Sequence, residues 1–201
     1  MGKIKSALEI AMERTESIKT DKASIGLFEA KQQGKLLANE YLSDPSKNMK
    51  AELEKHPKDL RESLKQGIFD VLVPQIVIPA AAEDMKRIEA VGKGLCMLIN
   101  DSNFTNTYKQ LIQVLSRYLG EAAQFDQAIR QQYAPRIRQK EEELSRRMGR
   151  EIRLDPFQDP EFITFYNQNI NALKANYQTI VDQVREEAER HWAEGMEQGG
   201  L

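Results

Sequence analysis

The strongest periodic pattern in the sequence is an apolar repeat between Phe104 and Ile129. Its large apolar side chains recur at alternating steps of four and three residues, the heptad spacing of packed helices. Because such a seam must be buried, the repeat predicts a long helix that pairs with another helix, in this chain or in a second copy. The residues predicted at this interface are Phe104, Tyr108, Leu111, Leu115, Tyr118, Phe125, Ile129, Tyr166 and Tyr177.

A second long helix is predicted after Asp159, because an Asp before Pro160 is a typical helix start. Its apolar stripe from Phe162 to Ala188 predicts a helix that ends at about Trp192, followed by a frayed tail over residues 194–201. The short turn between the two long helices predicts an antiparallel hairpin. Within the first of them, Pro135 is expected to kink or break the helix.

The N-terminal half carries weaker helical patterns. Gly26 and Gly34 interrupt the first one, which predicts a kink or break near Gly26, although apolar residues continue through Tyr41 to a stop at Ser43-Asp44-Pro45. Ser46 is the predicted cap of a short helix that ends at Glu54. The first amphipathic stripe consists of Ile4, Leu8, Ala11, Thr15 and Ile18.

The middle of the chain has one stretch of strand-like composition, and two prolines interrupt it. It has no evident strand partner, so Pro74 to Pro79 is interpreted as an apolar crossover between helices. A helix is predicted to restart near Pro79 and to end at Asn100–Asn103. Gly92 and Gly94 lie within this helical pattern and indicate close packing rather than a phosphate-binding loop.

With only 11 Gly and 7 Pro in 201 residues, the chain is poor in turn formers. The predicted fold is therefore all-α, an elongated helical bundle with a long antiparallel C-terminal hairpin. We expect a single domain over residues 1–201, in which an N-terminal helical layer (residues 1–100) packs on the hairpin (residues 103–194).

The charge balance disfavours a polyanion as the partner, because the formal net charge is -2. The most basic local run spans Arg136 to Arg153 and gives a weaker alternative, nucleic-acid or phosphate binding through Arg146, Arg147 and Arg150. Glutamates precede two of these arginines by four residues, which is typical of a solvated helix face that pairs its own charges.

Catalytic and metal-binding patterns are sparse. The two histidines, His56 and His191, belong to no Glu-x-x-His motif, and their surroundings are predicted to be polar and exposed. Cys96 has apolar neighbours and is interpreted as a buried small side chain rather than a nucleophile. We therefore expect no cofactor, no metal and no enzymatic activity.

The run from Lys5 to Thr15 resembles the start of functionally uncharacterised bacterial proteins, a resemblance that implies no site residues. A single cysteine and the lack of a secretory signal or membrane-spanning stretch predict a cytoplasmic protein without membrane insertion. The favoured hypothesis is a non-enzymatic interaction or scaffold protein that binds itself or another protein. The alternative is a binder of a small or lipid-like molecule between the long helices near Pro74–Pro79.

Overall fold

The computed structural model describes the backbone of residues 7–199 and the side chains of residues 24–197. Over these residues the chain forms six α-helices and no β-strand, which confirms the all-α fold class. Two single 3-10 turns, Val73–Gln75 and Pro156–Gln158, lie between helices. The helices are α1 (Ala7–Ser43), α2 (Met49–Glu54), α3 (Lys58–Leu72), α4 (Asp84–Ile99), α5 (Ser102–Met148) and α6 (Pro160–Gly199).

The chain divides into two compact units. The first comprises Met1–Gln75 and Ala90–Asn100, and the second comprises Ile76–Glu89 and Asp101–Leu201. Helix α4 therefore contributes residues to both units. The single domain and the packing of an N-terminal layer on the hairpin stay predictions.

In the first unit, α1 and α3 cross at two glycines. A Cβ atom on Gly34 of α1 would lie 2.1 Å from the carbonyl oxygen of Leu64. A Cβ atom on Gly67 of α3 would lie 2.0 Å from the carbonyl oxygen of Lys31. Because no side chain fits at either point, the two backbones approach more closely than other residues allow.

Helix α1 is continuous from Ala7 to Ser43, so a break near Gly26 is wrong, and a kink there stays a prediction. Gly34, the other glycine of this pattern, is buried against α3, where close packing offsets its low helix propensity. The predicted stop at Ser43 is confirmed. The first part of the amphipathic stripe, from Ile4 to Ile18, lies outside the residues whose side chains the structure describes.

Two other predicted helix starts are wrong. Helix α2 is capped by Asn48, whose side-chain oxygen accepts a hydrogen bond from the Ala51 N–H, whereas the Ser46 hydroxyl donates to Asp44. Helix α4 begins at Asp84 rather than near Pro79. The Asp84 carboxylate accepts hydrogen bonds from the backbone N–H groups of Ala80 and Ala81, which holds these residues in a turn before the helix.

In the second unit, α5 and α6 form the predicted long helix pair. Residue numbers fall along α5 as they rise along α6, which indicates that the two helices run antiparallel. The pairs in contact are Lys140 with Asp159, Tyr133 with Phe162, Asp126 with Tyr166, Tyr118 with Tyr177, and Phe104 with His191.

Helix α5 continues through Pro135, so a break there is wrong, and a kink stays a prediction. Tyr133 and Ile137, on either side of it, are buried in one cluster with Phe162 of α6, and this packing holds the helix together across the missing N–H group. Helix α6 likewise extends to Gly199 rather than ending at about Trp192, so a frayed tail from Glu194 is also wrong. Gly200 and Leu201 lie outside the described residues.

Candidate functional site

The heptad seam of α5 is part of the chain's own core. Of the nine residues predicted at an interface, Tyr166 is half-buried and Phe125 is 37% exposed. The other seven are buried, so their side chains are not available to a second copy of the chain. These buried residues are Phe104, Tyr108, Leu111, Leu115, Tyr118, Ile129 and Tyr177.

Two tyrosine hydroxyls on α6 donate hydrogen bonds to carboxylates on α5. The Tyr177 hydroxyl donates a hydrogen bond to Glu121. Burial, the larger cause, and this hydrogen bond together raise the pKa of Tyr177 to about 12. Tyr166 donates to Asp126 at 2.8 Å. Arg130 also donates to Asp126, and this interaction holds the pKa of that carboxyl below its ordinary value. These neighbours hold each group in one protonation state, which suits a structural contact better than proton transfer.

The turn into α6 is built around Asp159, which is 8% exposed. Its carboxylate lies 2.8 Å from the Lys140 ammonium group and accepts a hydrogen bond from the N–H of Glu161, which confirms the predicted helix start. The hydrogen bond from Lys140 lowers the pKa of Asp159 below its ordinary value. The same ammonium group contacts the Glu161 carboxylate at 2.8 Å. This network joins α5 to α6.

The arginines predicted to bind anions lie on the exposed end of α5 and just after it. Arg147 pairs with Glu143 at 2.8 Å, and Arg146 lies 4.0 Å from Glu142. Arg150 is exposed and has no ion pair among the described side chains. Two of the three predicted anion ligands are therefore engaged by glutamates one helical turn earlier, which weakens their attraction for phosphate.

The burial of His191 and of Cys96 differs from what the sequence predicted. His191 has a side chain only 15% exposed, with its ring 6.2 Å from that of Phe104 and its Nδ1 atom 3.8 Å from the Asp101 carboxylate, so the predicted exposed setting is wrong. Cys96 is half-buried rather than fully buried. Among the described residues, no three His, Cys, Asp or Glu side chains are grouped at distances suited to a metal ion.

A surface that the sequence reasoning missed lies on α1, on the side opposite α3. Ile25, Phe28 and Leu36 fall within about 80° of the helix circumference, and they are 55%, 63% and 63% exposed. We call these three residues the outer face of α1. Ala30 and Ala38, together with Gly34, form the opposite, buried side. The sequence pattern shows that apolar residues continue through Tyr41, but it does not show that they lie on two opposed faces.

The second unit contains an open groove of about 800 Å³. Its walls come from the loop Val77–Ala80, from α5 between Tyr118 and Ala123, and from α6 between Asn171 and Gln178. We call it the α5–α6 groove. Its position, between the long helices and beside Pro79, is where the sequence predicted a ligand pocket.

Comparison with known proteins gives a family and no described function. No curated protein and no solved structure matches the chain. None of the helices, over the described residues, is long and apolar enough to cross a membrane. One family model matches residues 50–190, which include α3 to α5 and most of α6 but leave out α1. The chain therefore belongs to the family of unknown function DUF6657.

Proposed function

We propose that this chain is a non-enzymatic helical interaction protein of the bacterial cytoplasm that self-associates through the outer face of α1. The observation that carries the proposal is the presence of apolar side chains on two opposite sides of α1, only one of which is buried within the described part of the chain. A helix with apolar side chains on opposed faces gains stability by burying both. The single cysteine, Cys96, supports a reducing compartment.

A second copy is the partner we favour, because the outer face carries no charge of its own to select a different one. Ile25, Phe28 and Leu36 lie along a helix 37 residues long, which offers a straight surface that two copies can share. The three side chains expose roughly 300 Å² per copy, less than the roughly 800 Å² per partner of a stable interface. The dimer we propose is therefore weak and forms only at micromolar concentrations or above.

Sedimentation velocity over a range of protein concentrations tests this proposal. We expect the wild-type chain to change from monomer to dimer as its concentration rises. The double variant Phe28→Glu/Leu36→Glu should stay monomeric, because a dimer would then bury four carboxylates. Both positions are exposed, so the fold should be unaffected, which far-UV circular dichroism will check.

The matched control is Gln33→Glu, which adds a charge at an exposed position of the same helix but outside the outer face. It should dimerise like the wild type. A wild-type chain that remains monomeric at several hundred micromolar would refute self-association. A dimer that persists unchanged in the double variant would show that the contact lies elsewhere.

A further inference from the structure

The α5–α6 groove has the shape and lining of a site for an apolar chain. Alanines form much of its wall, namely Ala80 in the loop, Ala122 and Ala123 on α5, and Ala175 on α6. Small side chains at these positions leave a depression where larger ones would fill the space between the helices. Val77, which is 42% exposed, adds an apolar edge. A volume of about 800 Å³ lies within the range of small-molecule sites.

The charge that lines the groove is positive. Lys174 is the only charged residue that lines it, and no acidic side chain does so. Lys174 is exposed and forms no ion pair with any described side chain, whereas Lys31, Lys47 and Lys140 are each paired with a carboxylate. The groove thus combines an apolar wall with one ammonium group that has no internal counter-ion.

Besides Lys174, three uncharged polar side chains line the groove, those of Tyr118, Asn171 and Gln178. The side chain of Tyr118 is buried against Tyr177, with 4.8 Å between ring centroids, yet Tyr118 also lines the groove. Its hydroxyl makes no hydrogen bond with any described residue and is not enclosed by the protein. It can therefore donate to an acceptor in the groove.

We propose that the α5–α6 groove binds a free long-chain carboxylate, with its alkyl chain along the alanines and its head group at Lys174. The ammonium group of Lys174 and the hydroxyl of Tyr118 are donors that a carboxylate accepts from. A cationic amphiphile would be repelled, and a neutral one would leave the ammonium group without a counter-ion. This proposal is independent of self-association, because the outer face of α1 contributes no residue to the groove.

Equilibrium dialysis of the full chain with dodecanoate, below its micelle concentration, tests the proposal. Ala175→Trp places an indole in the groove and should abolish saturable binding. Lys174→Gln removes the charge and should weaken dodecanoate binding about fivefold, the effect of an exposed ion pair. The same substitution should leave the binding of 1-dodecanol unchanged, because the alcohol carries no charge.

Two matched variants control for nonspecific effects. Ala172→Trp adds the same indole to an exposed position of α6 outside the groove, and Lys109→Gln removes a charge from an exposed position of α5. Both should bind dodecanoate like the wild type. Dodecanoate that fails to bind saturably, or that binds Ala175→Trp as well as the wild type, would overturn the site.

The remaining outcomes separate other occupants. Equal affinity for dodecanoate and 1-dodecanol, with no effect of Lys174→Gln, would indicate a neutral apolar ligand and overturn the proposed head-group contact. Absence of dodecanoate binding combined with loss of self-association in Ala175→Trp would identify the groove as a contact between copies, and would equally overturn the carboxylate site.

Discussion

Replacing Gly67 by Ala tests whether close approach of two backbones holds α1 to α3. The added Cβ atom would lie 2.0 Å from the carbonyl oxygen of Lys31 and 3.1 Å from the amide nitrogen of Lys35. Both atoms belong to the backbone of a helix and cannot rotate away, so the helices must separate by more than 1 Å, since ordinary van der Waals contact begins at about 3.4 Å. That separation would also strain the ion pair between Lys31 and Asp70, which are 2.8 Å apart.

The expected magnitude is the difference between two terms. Overpacking of a close contact costs about 3 kcal/mol when neither side can adjust. Alanine in place of glycine within a helix raises the free energy of unfolding by about 1 kcal/mol. The net loss for Gly67→Ala is therefore about 2 kcal/mol, which lowers the urea midpoint by roughly 1 M for a typical denaturant dependence.

Gly26 provides the control, because it lies within α1, the helix that Gly67 contacts, and a Cβ atom there would meet nothing within 4 Å. Gly26→Ala should gain up to about 1 kcal/mol from helix propensity alone. Urea unfolding followed by far-UV circular dichroism compares the two variants with the wild type. If Gly67→Ala were as stable as Gly26→Ala, the close approach of α1 and α3 would not be the contact that we describe.

Three further predictions concern α5 and its turn into α6. Lys140 lowers the pKa of Asp159, so this carboxylate stabilises the fold at pH values above its ordinary pKa of about 4. That contribution is lost as the pH falls through the lower pKa of the folded state. The variant Asp159→Asn should therefore show a flatter dependence of thermal stability on pH in this range. Pro135→Ala should raise the free energy of unfolding by about 1–3 kcal/mol in urea titrations, since the helix is continuous there and regains a hydrogen bond, and a loss of stability would mean that the packing requires proline. Because glutamates already pair with Arg146 and Arg147, single-stranded DNA should bind the wild type no more tightly than Arg146→Glu/Arg147→Glu in fluorescence anisotropy; a salt-sensitive difference would restore the nucleic-acid alternative.

Apolar periodicity was sufficient to predict the helices of the second unit. The steps of four and three from Phe104 to Ile129 mark the buried side of α5, and the Asp159-Pro160 signal marks the first residue of α6. Both patterns are local, so they can be read without knowledge of the fold. The pocket predicted beside Pro79 coincides in position with the α5–α6 groove, and its occupant stays a prediction.

Features that depend on distant contacts were not predictable in this way. Gly34 reads as a helix breaker in the sequence, and only the position of Leu64 on α3 shows why glycine is needed there. The exposure of Phe28 and Leu36 is not visible in the sequence, because the apolar pattern cannot tell which side of the helix is covered. Pro135 reads as a break, since its neighbours' contacts with α6 are invisible in the local sequence.

A distance measured between copies tests whether two copies meet at the outer face of α1. A nitroxide placed on Gln33, an exposed residue of α1 beside the outer face, in a Cys96→Ala background gives one label per chain. Any dipolar coupling in double electron–electron resonance must then come from a second copy. We predict a defined short distance at high protein concentration, and we expect it to disappear when Phe28→Glu/Leu36→Glu is added. The absence of any coupling at that concentration would contradict self-association through the outer face of α1.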